Sequence, residues 1–285
     1  MSTQGSNRIV SDEALRGETA YIYALKNRAK QHHCLAYGTF SADMERLETL
    51  RREYSRRVKP ITHVPMYVKA AGLAVERTPE ANALLFRKIF GLRIVRFEQV
   101  DVNLPITRRL DGRWITFIGT VRKAPRKTLA EIQEEITHLQ RCRPEESPAL
   151  ERFLRFDKMP LWQARLAHWW MRWSPEFYVG NAGTCGITLA EGEAHEYGFT
   201  VAPTTAVFGI GGVRPEPVVR KNRIEIARVM KGCLMLDNFV LPGIKAARLL
   251  EEFKALLESG SFVEEELAIT PDGSQETERE VIEAI

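Results

Sequence analysis

Two polar residues, Asp237 and Asn238, interrupt an otherwise apolar run from Cys233 to Val240. Such a run reads as a strand buried on both faces, so the carboxylate and the amide fall at a strand end. Pro242 and Gly243 stop the strand, and Ile244, Ala247, Leu250, Phe253 and Leu257 then recur at helical spacing, which predicts an amphipathic helix. The handover is a short polar loop, a place where a rigid scaffold commonly sets reactive groups. Aspartate can accept hydrogen bonds there, whereas asparagine hydrogen-bonds but takes up no proton near neutral pH. Other groups able to move protons are dispersed: His32 and His33 precede an apolar stretch, His195 follows another, and His63 and His138 stand alone.

The elements that must position these groups follow from periodicity. Asp12 to Gln31 reads as a helix with Ser11 as its cap, and His33 to Phe40 as a strand. Ser41 and Asp43 can cap the next helix, which carries Met44, Leu47 and Leu50 on one face and Arg46, Arg51 and Arg52 on another. Ile61 to Val75 is apolar nearly all round and predicts a buried helix ended by Thr78-Pro79. Leu92 to Asn103 and Arg113 to Val121 read as two pairing strands with Asp111-Gly112 as the turn between them. Thr128 and Glu131 form a capping box opening a helix, and Arg214 to Val219 and Ile224 to Met230 read as later strands.

Between Pro144 and Pro175, Leu161, Trp162, Leu166, Trp169, Trp170 and Trp173 crowd one predicted helix with Arg165, His168 and Arg172. That face can pack on its own domain or a neighbouring subunit, line a pocket for an apolar acyl chain, or lie at a membrane interface.

The chain has 285 residues, 44% of them hydrophobic and 27% charged, the make-up of an ordinary globular protein with a full core. Cys34, Cys142, Cys185 and Cys233 show no Cys-x-x-Cys spacing and read as reduced residues, which suggests neither a disulfide framework nor a zinc site. No signal-like or membrane-spanning apolar run is present, so a cytoplasmic location is expected. The net charge of +4 is uneven: Glu264, Glu265, Glu266, Asp272, Glu276, Glu278, Glu280 and Glu283 crowd the final segment against Arg279. A basic body suits an anionic ligand such as coenzyme A, or nucleic acid, or is simply a solvated surface.

Set out in order, several passages resemble the catalytic domain of the dihydrolipoamide acyltransferases of 2-oxoacid dehydrogenase complexes and, more distantly, chloramphenicol acetyltransferase. Asp237-Asn238-Phe239-Val240-Leu241-Pro242-Gly243 stands in the frame of the family's Asp-His-Arg-Val-x-Asp-Gly. Pro79-Glu80-Ala81-Asn82 matches Pro-Glu-x-Asn, and Lys127-Thr128-Leu129-Ala130-Glu131-Ile132 is similar to Lys-Ser-Leu-Ala-Glu-Ile. Gly183 to Gly192 resembles the Thr-Ile-Ser-Asn-Leu-Gly strand, and Ala202-Pro203-Thr204-Thr205-Ala206-Val207-Phe208-Gly209 follows Pro-Pro-Gln-Ala-Ala-Ile-Leu-Gly.

The resemblance implies a two-layer α/β sandwich of the chloramphenicol acetyltransferase type, a mixed sheet flanked by helices. It divides the chain into an N-terminal helical arm over 1–30, a catalytic-type domain over 31–258 with residues 144–175 inserted, and an acidic C-terminal tail over 259–285 outside the packed core. It further implies an acyl thioester as substrate, of coenzyme A or of a carrier supplied from outside, no covalently bound cofactor, no metal, no nucleic-acid partner, and a homotrimer or larger assembly with its channel between subunits.

By position, the family's general-base histidine falls on Asn238 and its second aspartate on Pro242, while Thr188 matches the serine that steadies the oxyanion. A threonine on a strand is equally accounted for by β propensity. Asp237 completes the catalytic candidates, with His195, or the pair His32 and His33 near the place of a channel-lining histidine in the family, as a replacement base. His33, Trp169, Trp170, Pro203 and Gly243 are the expected substrate-binding positions. Such a chain is an acyltransferase with an altered base, a silent scaffold of the same fold, or an enzyme that uses the channel for a different condensation or cyclisation.

Overall fold

Strands β1 (Leu35–Asp43), β2 (Ala83–Lys88), β3 (Gly91–Arg96), β4 (Val102–Leu110), β5 (Arg113–Val121), β6 (Cys185–Leu189), β7 (Ala206–Arg220) and β8 (Arg223–Asp237) divide between two sheets. The computed structural model describes residues 34–88, 91–158, 160, 162–163, 166, 169, 173–189, 196–202 and 204–269. The main sheet has six strands in the order β1-β8-β7-β6-β4-β5. In it β6 runs parallel to β7 and β4, and the other pairs are antiparallel. This is the expected mixed sheet flanked by helices. The expected helix over Asp12–Gln31, and with it the arm 1–30, lies outside the described residues.

Helices α1 (Glu45–Arg57), α2 (Val64–Arg77), α3 (Leu129–Arg141), α4 (Pro148–Lys158), α5 (Pro175–Ala182), α6 (Gly243–Ser259) and α7 (Ser261–Ile269) accompany the strands. The packed layer forms because α2, as its all-round apolar sequence predicts, is buried along almost its whole length, while α6 presents Leu249, Phe253, Leu256 and Leu257 to the sheet. Phe253 anchors α6, its ring 4.2 Å from that of Phe208 and 5.7 Å from that of Phe40. Gly72 lets α2 come close, since a Cβ there would stand 3.1 Å from Pro125. At the far edge α4 covers β5 through Phe153, 6.3 Å from Phe117.

Local chemistry sets the connections. Asp111 (φ 47°) and Gly112 (φ 79°) turn β4 into β5, and Lys221 (φ 47°) and Asn222 (φ 63°) turn β7 into β8. Positive φ at both central residues is the twist-matched hairpin turn. Thr128 and Glu131 make the predicted reciprocal cap of α3. At α1 it is Asp43, accepting from the Glu45 N–H at 3.1 Å, that satisfies the helix start; Ser41, the other expected cap, remains within β1.

Two expectations are corrected. Leu92 to Asn103 is not one strand: β3 pairs with β2 in a separate two-stranded sheet, and the partner of β5 is β4. The reason lies in Asn82, whose side-chain amide donates to the carbonyls of Phe97 (2.7 Å) and Gln99 (3.1 Å) and so pulls the chain out of the ladder between the two strands. Nor does packed structure end at 258. In α7, Phe262, Val263 and Leu267 are buried, and Glu266 accepts hydrogen bonds from the Leu129 N–H (2.9 Å) and the Tyr54 hydroxyl (3.1 Å). Its apolar residues are few but share one helix face, which a count of acids conceals. Residues 270–285, including Val281 and Ile282, lie outside the described residues.

Glu48 joins α1 to the start of α2. It accepts from Arg51 at 2.9 Å and Arg52 at 3.0 Å and lies 2.6 Å from His63 Nε2. The Arg51 hydrogen bonds, then those of His63 and Arg52, outweigh burial and hold its carboxyl down to about 2.

Asn82→Ala leaves two carbonyls without their donor and is expected to lower unfolding stability by about 1–3 kcal/mol, read as a shift in the denaturation midpoint at unchanged slope. Glu48 has a folded-state value below its unfolded one. Its stabilisation is therefore complete above the ordinary carboxylate range and is lost as pH falls from there toward about 2. Glu48→Gln should accordingly be less stable than the parent at pH 7, with the difference closing in acid, as followed by urea titrations from pH 7 to the acid limit of folding.

Candidate functional site

The turn from Asp237 to Gly243 is built around a carboxylate with no exposed surface. Asp237 Oδ1 accepts from the Cys34 N–H at 3.2 Å and from the Phe239 N–H at 3.1 Å. Its own carbonyl takes the N–H groups of Val240 and Leu241, and its N–H donates to the Thr205 carbonyl at 2.9 Å. Thr205 is in turn fixed by donating its hydroxyl to the Ala83 carbonyl. The beginnings of β1 and β7, the end of β8 and the edge of β2 thus meet at one buried side chain. Asn238 follows it, exposed, its N–H held by the Cys34 carbonyl at 2.7 Å. The predicted polar strand end is present, with the aspartate as anchor and the asparagine presented outward.

Thr188 is set by a different node. Asp101 accepts from Arg122 at 2.7 Å and from the Lys123 N–H at 2.9 Å, while its carbonyl receives the Thr184 N–H at 2.8 Å. Gly183, at φ 69°, brings the chain so close that a Cβ would stand 2.8 Å from that carbonyl. β6 starts there and carries Thr188, half-buried, beside Gly209 of β7. Ile187 points into the core, so Thr188 faces the opposite side of the sheet.

A second chain segment crosses that same side. The carbonyl of Gly198 accepts from the Cys233 thiol at 2.9 Å and would lie 2.6 Å from a Cβ at Gly209. A Cβ at Gly211 would meet the Glu196 carbonyl at 2.5 Å. Two glycines are required because the segment rests directly on β7. Farther along, the Thr200 carbonyl accepts from the Tyr37 hydroxyl at 2.9 Å, and the Tyr37 and Phe199 rings meet edge-on at 5.4 Å.

Strand register shows which candidates share one chain's site. Thr188 pairs with Gly209 and Cys233, whereas Asn238 stands beyond the Ala206–Leu236 pair. Five residues along the ladder and two strand spacings across it separate the two by roughly 19 Å. The hydroxyl and the amide cannot reach one small group within a single chain. Gly243, another expected site residue, begins α6 four residues after the Asp237–Phe239 turn, exposed and with open space where a Cβ would stand. Trp169 is exposed and belongs to the segment after α4. His33, Trp170, His195 and Pro203 lie outside the described residues; Glu196, next to His195, rests over β7 on the Thr188 side.

One neighbour escaped the sequence reading. Cys34, grouped there with three cysteines that are indeed free and buried, is exposed and pairs its backbone with Asn238. Only the pairing of β1 with β8 brings 34 and 238 together, and no local signal marks it. Among the described residues no cluster of His, Cys, Asp and Glu could hold a metal ion.

The sequence matches the family described as 2-oxoacid dehydrogenases acyltransferase (catalytic domain) over residues 17–149 and 175–263. Among solved structures, a probable dihydrolipoamide acetyltransferase from Listeria monocytogenes 4b F2365 superposes with TM-score 0.64 at 17% identity, covering 87% of this chain and 94% of that one. The Azotobacter vinelandii dihydrolipoamide acetyltransferase, a structure concerned with the catalytic role of a serine, a histidine and an asparagine, gives 0.66 at 15% identity, covering 90% and 94%. The cubic core of the pyruvate dehydrogenase multienzyme complex gives 0.64 at 17%, covering 89% and 93%. Comparison with curated proteins gives no match.

Replacing Asp237 by Ala strips two N–H groups of a buried acceptor and is expected to cost about 3 kcal/mol of unfolding stability, measured in guanidinium. A variant as stable as the parent would show that the turn holds without its carboxylate.

Proposed function

The chain belongs to the 2-oxoacid dehydrogenase acyltransferase (catalytic domain) family, and on that premise we propose that it transfers an acyl group from a thioester, of coenzyme A or of an acyl carrier, at a site completed by a second copy of the chain. The observation that carries this reading is the register. The family match runs unbroken from 175 to 263, through both Thr188 and the Asp237 turn, yet one chain holds the two about 19 Å apart. A neighbouring copy that brings its own turn to Thr188 would unite them, and an assembly such as a trimer does so repeatedly.

In that arrangement the acceptor's nucleophilic atom adds to the thioester carbonyl, and the carbonyl oxygen becomes an oxyanion. The Thr188 hydroxyl donates to that oxygen, an interaction that strengthens as charge develops. The intermediate then expels the thiolate, which leaves protonated by solvent. Asn238 stands where the family's histidine falls, and its amide can hold the acceptor in line but cannot take its proton. Positioned general-base catalysis is typically worth about a hundred- to ten-thousand-fold, whereas proximity alone can supply more. An acceptor that arrives with its lone pair free, such as an amine of modest pKa, therefore suits this site better than an alcohol. His195 is a candidate for the missing base, since the adjoining Glu196 lies over β7 on the face that Thr188 shares.

A second reading, a silent scaffold of the same fold, is favoured by one feature, the absence of an ionisable side chain at 238.

Thiol release from a panel of acyl-coenzyme A esters, with amine and alcohol acceptors, separates the two readings. Turnover should fall about 10²–10³-fold in Thr188→Ala, and Asn238→His should raise the rate with alcohol or thiol acceptors more than with amines. A parallel loss in His195→Ala would mark it as the base. No turnover and no binding of any thioester by the assembled protein would leave the scaffold reading standing.

A further inference from the structure

Residues 150–174 fall between the two stretches that match the family, so the family's assembly and chemistry do not account for them. Within this insertion Trp162, Leu166, Trp169 and Trp173 stand four, three and four residues apart, and the described positions 162, 163, 166 and 169 are helical. That spacing lays the four side chains along one side of a helix. All four are exposed in the chain, by 64%, 59%, 50% and 36%, and the Trp169 and Trp173 rings touch at 5.8 Å. Large apolar side chains this close together on a surface mark a contact with something else.

The charges around the stripe say what. The insertion holds Arg152, Arg155, Lys158, Arg165 and Arg172 against Glu151 and Asp157, which both precede the stripe, and Glu176 lies just beyond it. A stripe made chiefly of tryptophan, flanked by cations and free of carboxylates, has the composition of a helix that lies in the headgroup region of a bilayer. Among the described residues no helix is long and apolar enough to cross a membrane, so the contact would be with the surface alone.

We propose that the 150–174 insertion docks this protein on anionic lipid headgroups, its indole rings entering the interface and its arginines pairing with phosphate. This goes beyond the acyl-transfer reading and stands or falls separately from it. Two weak signals act together, the apolar stripe and the charge, so binding should be reversible and sensitive to salt.

The test is co-sedimentation of the full chain with vesicles of phosphatidylcholine mixed with phosphatidylglycerol, against vesicles of phosphatidylcholine alone, with indole emission followed in parallel. Expected are binding to the anionic vesicles with a blue shift in emission and a loss of binding at high salt. A drop of about tenfold or more is expected in the partition of Trp162→Ala/Trp169→Ala. A similar drop is expected at low salt for Arg165→Glu/Arg172→Glu. Since these indoles are exposed, the alanine variant should keep the parent's thermal unfolding, which separates failure to dock from failure to fold. No binding to either vesicle, or equal binding to both, overturns the proposal. It is equally overturned if the alanine variant lowers the oligomer's sedimentation coefficient, which makes the stripe a subunit contact. The same holds if indole quenching rises only when the acidic segment 270–285 is removed, which makes that segment its cover.

Discussion

A buried carboxylate holds this fold's reactive corner together. Asp237 has no exposed surface, and it ties the first residues of β1 to the end of β8 while its backbone closes the following turn and reaches Thr205 before β7. A charge taken out of water is tolerated only where hydrogen bonds replace its hydration, and here backbone N–H groups do so. The arrangement also explains why the next residue is free to act. Among the described residues Asn238 is held through its N–H, and the residue is exposed.

From that corner, on the acyl-transfer reading proposed above, the geometry divides the labour between chains. Strand pairing is rigid on the scale of chemistry, so a hydroxyl on β6 and an amide beyond β8 keep their separation whatever the substrate. If the two act on one group, as proposed, an assembly must bring them together, and the preorganisation of the site then resides in a subunit contact as much as in the core. An amide at 238 makes no demand on the turn that Asp237 does not already meet, so in the proposed chemistry a side chain there that cannot ionise would change one step without disturbing the scaffold.

Much of this was legible in the sequence because the signals were local. The capping box at Thr128, the Asp111-Gly112 turn, the all-apolar α2 and the strand-to-helix handover at 237–243 each depend on residues a few positions apart, and each was found. The departures came from contacts distant in sequence. Asn82 breaks an apparently continuous strand fifteen residues away through side-chain hydrogen bonds. Glu266 draws an acidic segment into the core by capping α3, 137 residues earlier in the chain. Cys34 reaches Asp237, the neighbour of Asn238, across 203 residues through β1 and β8 pairing. The site residues Thr188 and Asn238 were legible as positions, while their separation needed the register of three strands.

The places where the chain leaves its family's pattern are informative in their distribution. On the proposed reading Asn238 and Pro242 alter the rim of the site, and the family match passes over residues 150–174, whereas the buried anchors at Asp101, Thr205 and Asp237 are hydrogen-bonded. Core anchors cannot be exchanged singly, since each leaves a partner unsatisfied at a cost comparable to a sizeable share of total stability. Exposed positions carry no such penalty, so chemistry and location can change while the sheet does not. On the acyl-transfer reading proposed above, such a chain would keep the means to hold a thioester between subunits and be free to differ in which acceptor it receives.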